Sequence, residues 1–156
     1  QDGSIFPGWQ FDDPQANVGE IALADFDNDG DLDALVVSGH RSVGAFPSKM
    51  FLNDGSGHFI LSEQILNETT NGHLAVGDLD NDGDLDVFVV TLDRPNEVWL
   101  NDGTGVLIDS GLALGAAADL SAKISLGDLD GDGDLDVIVG RFSGGAEIWF
   151  NQMRRM

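Results

Sequence analysis

The sequence contains no cysteine among its 156 residues. That excludes a disulfide scaffold, a thiol nucleophile and any thiolate metal site. Positive charge is scarce too: seven Lys and Arg stand against 28 Asp and Glu, for a formal net charge of −21 and a pI near 4.1. Nucleic acids and anionic lipids are polyanions that bind through basic patches, so neither is an expected partner. No apolar run approaches the roughly 18 residues that span a bilayer, so membrane insertion is not expected, and no signal-peptide pattern is visible. Gln1 in place of an initiating Met reads as a mature or trimmed product. No Ser/His/Asp elbow, P-loop or dinucleotide fingerprint appears. His40, His58 and His73 occupy unrelated places, which gives a histidine-based centre little support. What remains is apolar: 42% of residues are hydrophobic, with Val, Ile and Leu in strand-sized runs. That is core enough for one folded domain and speaks against an acidic disordered chain.

Internal repetition settles the organisation. DFDNDGDLD occupies 25–33, DLDNDGDLD occupies 78–86 and DLDGDGDLD occupies 128–136, with starts 53 and 50 residues apart. Each acidic loop follows a short apolar run (IALAD, LAVGD, ISLGD) and precedes a β-branched one (ALVVS, VFVVT, VIVGR). An aromatic-apolar-Asn signature comes next, at Phe51-Leu52-Asn53, Trp99-Leu100-Asn101 and Trp149-Phe150-Asn151. The first two continue into DGSG and DGTG, turn sequences rich in positive-φ residues, and then into HFILSEQ and VLIDSGL. Four short antiparallel strands in about 45 to 50 residues are the size of a propeller blade. The expected fold class is therefore all-β, with three four-stranded blades. Blade 1 is expected over 20–67, blade 2 over 72–115 and an incomplete blade 3 over 122–151, with 1–19 as an N-terminal segment supplying an outer strand. Only 112–120 hints at helix, and Gly115 weakens that reading.

Within each loop carboxylates stand at positions 1, 3, 5, 7 and 9, around a glycine at position 6. They are Asp25, Asp27, Asp29, Asp31 and Asp33; Asp78, Asp80, Asp82, Asp84 and Asp86; and Asp128, Asp130, Asp132, Asp134 and Asp136. Like charges about 4 Å apart repel by on the order of 1 kcal/mol per pair even in water, so five in one short loop call for a counter-charge. Hard anionic oxygens suit calcium, whose six to eight ligands need no strict geometry; magnesium prefers an octahedron and keeps its waters. The D-x-D-x-D-G start is shared with the EF-hand, which also needs a bidentate Glu at position 12 and flanking helices. Position 12 here is Val36, Val89 or Val139, in a β-branched run. The carboxylate at position 9 is therefore expected to close the site.

These residues resemble the FG-GAP/VCBS-type repeats, whose DxDxDGxxD loops and W/F-L-N-D-G-x-G turns build calcium-bearing blades of integrin-α-like propellers and of secreted bacterial proteins. The resemblance runs from about Glu20 to Asn151. It implies three calcium sites, each held by the side chains at loop positions 1, 3, 5 and 9 and the carbonyl at position 7. The Phe-Gly…Gly-Ala-Pro element that names the FG-GAP repeat is missing here, so an integrin-like ligand function does not follow from the match.

Propellers carry four to eight blades, and three would leave two exposed edges. Asp2-Gly3-Ser4 matches Asp54-Gly55-Ser56, and Ile5-Phe6 and Trp9-Gln10-Phe11 have strand character. The expectation is a two-fold homodimer forming a six-bladed ring, each N-terminal strand completing the partner's third blade. The alternatives are a piece of a longer protein and an open half-ring. Arg41, Arg94 and Arg141 fall one to each loop between second and third strands, a candidate site for an acidic glycan or a protein ligand through arginine forks; otherwise they pair with local acids. Trp99 and Trp149 share a blade position with Phe51 and read as packing, whereas Trp9 is freer. Asn67-Glu68-Thr69 is a glycosylation sequon in a secretory context. The expected function is a secreted, extracellular calcium-binding module for ligand binding or adhesion, calcium being structural, and not an enzyme. A carbohydrate-active enzyme domain and a ligand-free assembly repeat are the alternatives.

Overall fold

The computed structural model describes residues 18–38, 46–69, 72–92, 94–115, 121–142 and 144–153. Eleven strands occur among them, grouped in three antiparallel sheets. Sheet 1 orders β1 (Val18–Ala24), β2 (Asp33–Ser38), β3 (Phe46–Asn53) and β4 (Phe59–Thr69) in sequence. Sheet 2 repeats that order with β5 (His73–Gly77), β6 (Asp86–Val90), β7 (Asn96–Asn101) and β8 (Leu107–Leu114). Sheet 3 holds β9 (Ser121–Gly127), β10 (Asp136–Arg141) and β11 (Ala146–Trp149). The fold is all-β and each sheet has the form of a propeller blade. Four strands are present in sheets 1 and 2; sheet 3 has three among the described residues. The N-terminal strand expected to complete it falls on 1–17, outside the described residues, as does most of the doubtful helical stretch. Residues 112–114 of that stretch are strand.

Strand alternation explains how the sheets stack, because successive side chains point to opposite faces. In β6 the whole run Asp-Val-Phe-Val-Val is buried. Val87 and Val89 join the core between sheets 1 and 2, with Phe26, Leu35, Val37, Met50 and Trp99. Phe88 and Val90 join the core between sheets 2 and 3, with Leu79, Val98, Val137 and Val139. A strand covered on both faces has no polar side, which is why the β-branched runs lack polar alternation. Trp149 lies 6.2 Å from Phe88, ring centre to ring centre, at an interplanar angle of 26°. With Trp99 at 7% exposure in the first core, both tryptophans are packing residues between sheets.

The acidic loops all join the first strand of a sheet to the second. They therefore lie on one edge of the stack, at the ends of β1, β5 and β9. Arg94 lies on the loop joining β6 to β7; Arg141, expected on the corresponding loop of sheet 3, is instead the last residue of β10, paired with Ser121 of β9; Arg41 lies outside the described residues.

Candidate metal centres

Each loop folds around its first aspartate. The backbone N–H groups of Asp29 and Gly30 donate to Asp25 Oδ1 and Oδ2 at 3.1 and 3.0 Å. Asp82 and Gly83 do the same to Asp78, both at 3.0 Å, and Gly131 and Gly133 to Asp128 at 2.6 and 3.1 Å. The bend needs a left-handed residue at position 6, where Gly30, Gly83 and Gly133 have φ of 95°, 100° and 96°. Asp31 N–H then donates to Asp29 Oδ1 at 2.9 Å, and Asp84 and Asp134 repeat the contact one sheet on. These bonds wind the loop into a small coil with its carboxylates converging.

Three carboxylates per loop bring an oxygen each within 4.8 Å of the others: Asp25, Asp27 and Asp29; Asp78, Asp80 and Asp86; Asp128, Asp130 and Asp136. The second and third groups use positions 1, 3 and 9, the first uses 1, 3 and 5. Hard oxygen donors crowded this closely are a donor set that fits a divalent metal ion. The electrostatics agree. Burial pushes Asp27 up from the ordinary carboxylate value, with the nearby charges of Asp33 and Asp29 adding to it. Asp80 is raised by burial and then by Asp82, and Asp130 in the same direction, again chiefly by loss of water.

The ninth aspartate has a second task. Asp33, Asp86 and Asp136 are wholly buried, and each accepts two backbone hydrogen bonds. One comes from loop position 2: Phe26, Leu79 and Leu129 donate to Oδ2 at 2.9, 2.8 and 2.8 Å. The other comes from the third strand or its end, where Asn53, Asn101 and Asn151 donate to Oδ1 at 2.9, 2.8 and 2.8 Å. Each carboxylate thus ties three successive segments of its sheet. At Asp136 the two bonds prevail and hold the group below its usual value. At Asp86, enclosed between sheets 1 and 3, burial prevails over the same two bonds, and the neighbouring Asp80 and Asp82 add to it. Asp86 is raised to about 6.

The seventh aspartates were expected to contribute a carbonyl, but the side chains of two of them, Asp84 and Asp134, also reach between sheets. Asn28 Nδ2 donates to Asp84 Oδ1 at 2.8 Å, and Asn81 Nδ2 to Asp134 Oδ1 at 2.6 Å. Both asparagines have φ of 60°, a left-handed conformation that Asn tolerates. A second set of latches comes from the aromatic-apolar-Asn signature. Asn101 Nδ2 donates to the Phe26 carbonyl at 2.8 Å and Asn151 Nδ2 to the Leu79 carbonyl at 2.6 Å. These asparagines were missed as site residues. Their signal was in the repeats: Asn at loop position 4 twice, and Asn after an aromatic and an apolar residue three times.

At the opposite ends of the second strands, Arg94 Nη1 lies 3.7 Å from Glu97 Oε1, and Arg141, the last residue of β10, pairs with Glu147 of its own sheet. The acids close these cations locally. Lys49 stands half-buried in β3.

A family model for the FG-GAP-like repeat matches residues 25–89 and again 78–139. No curated protein matches the chain. The two matched spans overlap over 78–89 and together run from the first acidic loop into the strand after the third; each begins at one acidic loop and ends in the strand that follows the next. The chain belongs to the FG-GAP-like repeat family.

Proposed function

We propose that the chain is a calcium-binding β-propeller module acting outside the cell in ligand binding or adhesion, with calcium in a structural role and no catalysis. The observation that carries this reading is that three carboxylates of the acidic loop converge at the same strand junction of all three sheets, positions 1 and 3 being common to all. In each loop the side chains at positions 1, 3, 5 and 9 and the carbonyl at position 7 would hold the ion, which supplies positive charge to a cluster that otherwise repels itself. Millimolar extracellular calcium would fill such sites, whereas resting cytosolic levels suit only the tightest. Two copies would complete the ring. The loops bearing Arg41, Arg94 and Arg141 are the proposed ligand face, for an acidic glycan or a protein. Pairing of Arg94 with Glu97 and of Arg141 with Glu147 favours a second reading, an assembly repeat without a small ligand. Thermal unfolding with calcium and with excess chelator tests the calcium reading: a lower transition after chelation is expected, and an unchanged one would sink it. A glycan array, with Arg94→Ala and Arg141→Ala as controls, separates the two readings of the arginine face.

A further inference from the structure

The three acidic loops are joined to one another. Asn28, position 4 of the first loop, stands between the carboxylates of positions 3 and 5, and its side chain leaves the loop. Its Nδ2 donates to Asp84 Oδ1 at 2.8 Å and to the Gly103 carbonyl at 3.3 Å; Asp84 is position 7 of the second loop. Asn81, position 4 of the second loop, donates in turn to Asp134 Oδ1, position 7 of the third, at 2.6 Å. Position 4 of the third loop is Gly131, which has no side chain to continue the series.

Each latch ties a residue set by one site to a residue used by the next. Beside Asn28, the Asp29 N–H donates to Asp25 Oδ1 and Asp27 Oδ1 at 3.1 and 3.3 Å. Beside Asn81, the Asp82 N–H does the same to Asp78 and Asp80 at 3.0 and 3.2 Å. An ion that draws positions 1, 3 and 5 together therefore sets where position 4 points. At the receiving end, the Asp84 carboxylate rests on the turn after β7, where an added Cβ on Gly103 would lie 2.7 Å from its Oδ2. Held by that turn and by Asn28, Asp84 has little freedom to rotate, which restricts the peptide whose carbonyl is assigned to the second ion.

Exposure decides which contacts respond to an ion. The bonds of Asn101 and Asn151 to the ninth aspartates and to the preceding sheet are buried. A buried bond left unmade is costly, so these hold the sheets in register with or without metal. The bonds of Asn28 and Asn81 are exposed, so water competes for both partners and the made and broken states lie close in free energy. That is a two-state element which the sites on either side both bias.

We propose that the three sites fill as a coupled series, with Asn28 and Asn81 as positioning residues that carry the occupancy of one loop to the seventh position of the next. This rests on the reading of the loops as calcium sites and names how their occupancy is regulated. Linkage makes the coupling reciprocal, so each ion favours its neighbour in both directions. A latch transmits no more than its own worth, which bounds the coupling at about two- to tenfold in affinity per junction. Electrostatics act with the opposite sign, because an ion in one loop weakens the negative potential at the next. In about 1 M salt the screening length falls to about 3 Å, which suppresses that effect and leaves a direct hydrogen bond in place.

Calcium titration of the metal-stripped chain in molar salt, with a double cycle of variants, tests the series. Asp80→Asn with Asp82→Asn disables the middle site while leaving an oxygen to accept each backbone bond of its loop. Asn28→Gly with Asn81→Gly removes both latches, keeps the left-handed backbone and leaves every carboxylate in place. The unaltered chain should bind three ions, one per acidic group. Disabling the middle site should weaken the two outer ones by about two- to tenfold. In the latch-free chain, which should still bind three ions, the same change should leave the outer sites as they were. Outer sites that ignore the middle one in the latched chain, or that weaken equally with and without latches, would overturn the series. So would a latch-free chain that loses an ion outright, since the asparagines would then belong to a site and not to a link between sites. Three ions bound without coupling overturn the series and leave the calcium reading standing; absence of saturable binding overturns the calcium reading itself.

Discussion

Asp86 shows how one side chain can serve fold and site together. Its two oxygens accept N–H groups from Leu79 and Asn101, and it also belongs to the second acidic triad. Asp86→Asn turns an NH2 toward one of those donors, leaving a buried N–H without an acceptor, at a cost of roughly 1–3 kcal/mol. The melting temperature should fall by several degrees both with and without calcium. Asp29→Asn is the contrasting case. Asp29 is exposed and accepts one backbone bond, from Asp31, which an amide oxygen can still accept. Removing its charge relieves repulsion among Asp25, Asp27 and Asp29, so the calcium-free transition should hold or rise while calcium binding at that loop weakens. Thermal melts of the two variants, each with calcium and with chelator, check the contrast. Loss of calcium-free stability in Asp29→Asn would mean the fifth carboxylate holds the loop together.

At the scale of elements, each loop is bolted to its own sheet through the ninth aspartate, and the first two loops are bolted to the next sheet through asparagine. Asn81 tests the second bolt. Asn81→Gly keeps the left-handed backbone and loses only the bond to Asp134, which should cost about 0.5–1.5 kcal/mol in chemical denaturation. Asn81→Ala loses the bond and adds left-handed strain of roughly 1–2 kcal/mol. Equal costs for the two variants would mean that the bond, not the backbone, decides. The strands, their order within each sheet and the acidic loops were legible because three copies of one pattern fix spacing better than any single motif. Packing of Trp99 and Trp149 was legible for the same reason, since both share the position of Phe51. The asparagine latches were not. A hydrogen bond between sheets depends on which side chain of one loop faces which loop of the next, and repetition within a chain does not specify that. Position 7 was read through its carbonyl alone, so the reach of the Asp84 and Asp134 side chains went unseen. Arg94 was legible as a loop residue, whereas Arg141 was read onto a loop and in fact ends β10; its partner Glu147 reaches it because β11 pairs with β10, which composition does not show.

The whole molecule carries a formal charge of −21, with fifteen carboxylates in the three loops. Asp86 is raised from 3.8 to about 6 in the calcium-free protein, so the folded state holds that proton more tightly than the unfolded chain. Its contribution is complete below the unfolded value and is lost as pH rises through about 6, amounting to on the order of 3 kcal/mol. Asp27, Asp80 and Asp130 are raised as well and act in the same sense. Asp136 is lowered and acts oppositely, its contribution being lost as the pH falls through its folded value. With more groups raised than lowered among the loop carboxylates, calcium-free protein should melt higher at about pH 5 than at about pH 7.5. Calcium-loaded protein should reverse that order, because metal binding needs deprotonated ligands. Circular dichroism melts at the two pH values, with calcium and without, check both signs; the same order in both states would contradict the electrostatic account. The stacking of sheets was foreseen at this scale from unit size alone.

The central claim is that the three acidic loops are calcium sites, and the most direct measurement is calorimetric titration of calcium into metal-stripped protein. The account predicts three ions bound per chain, one for each triad, with saturation at or below millimolar calcium and a higher melting temperature in the saturated protein. Absence of saturable binding in that range would contradict it.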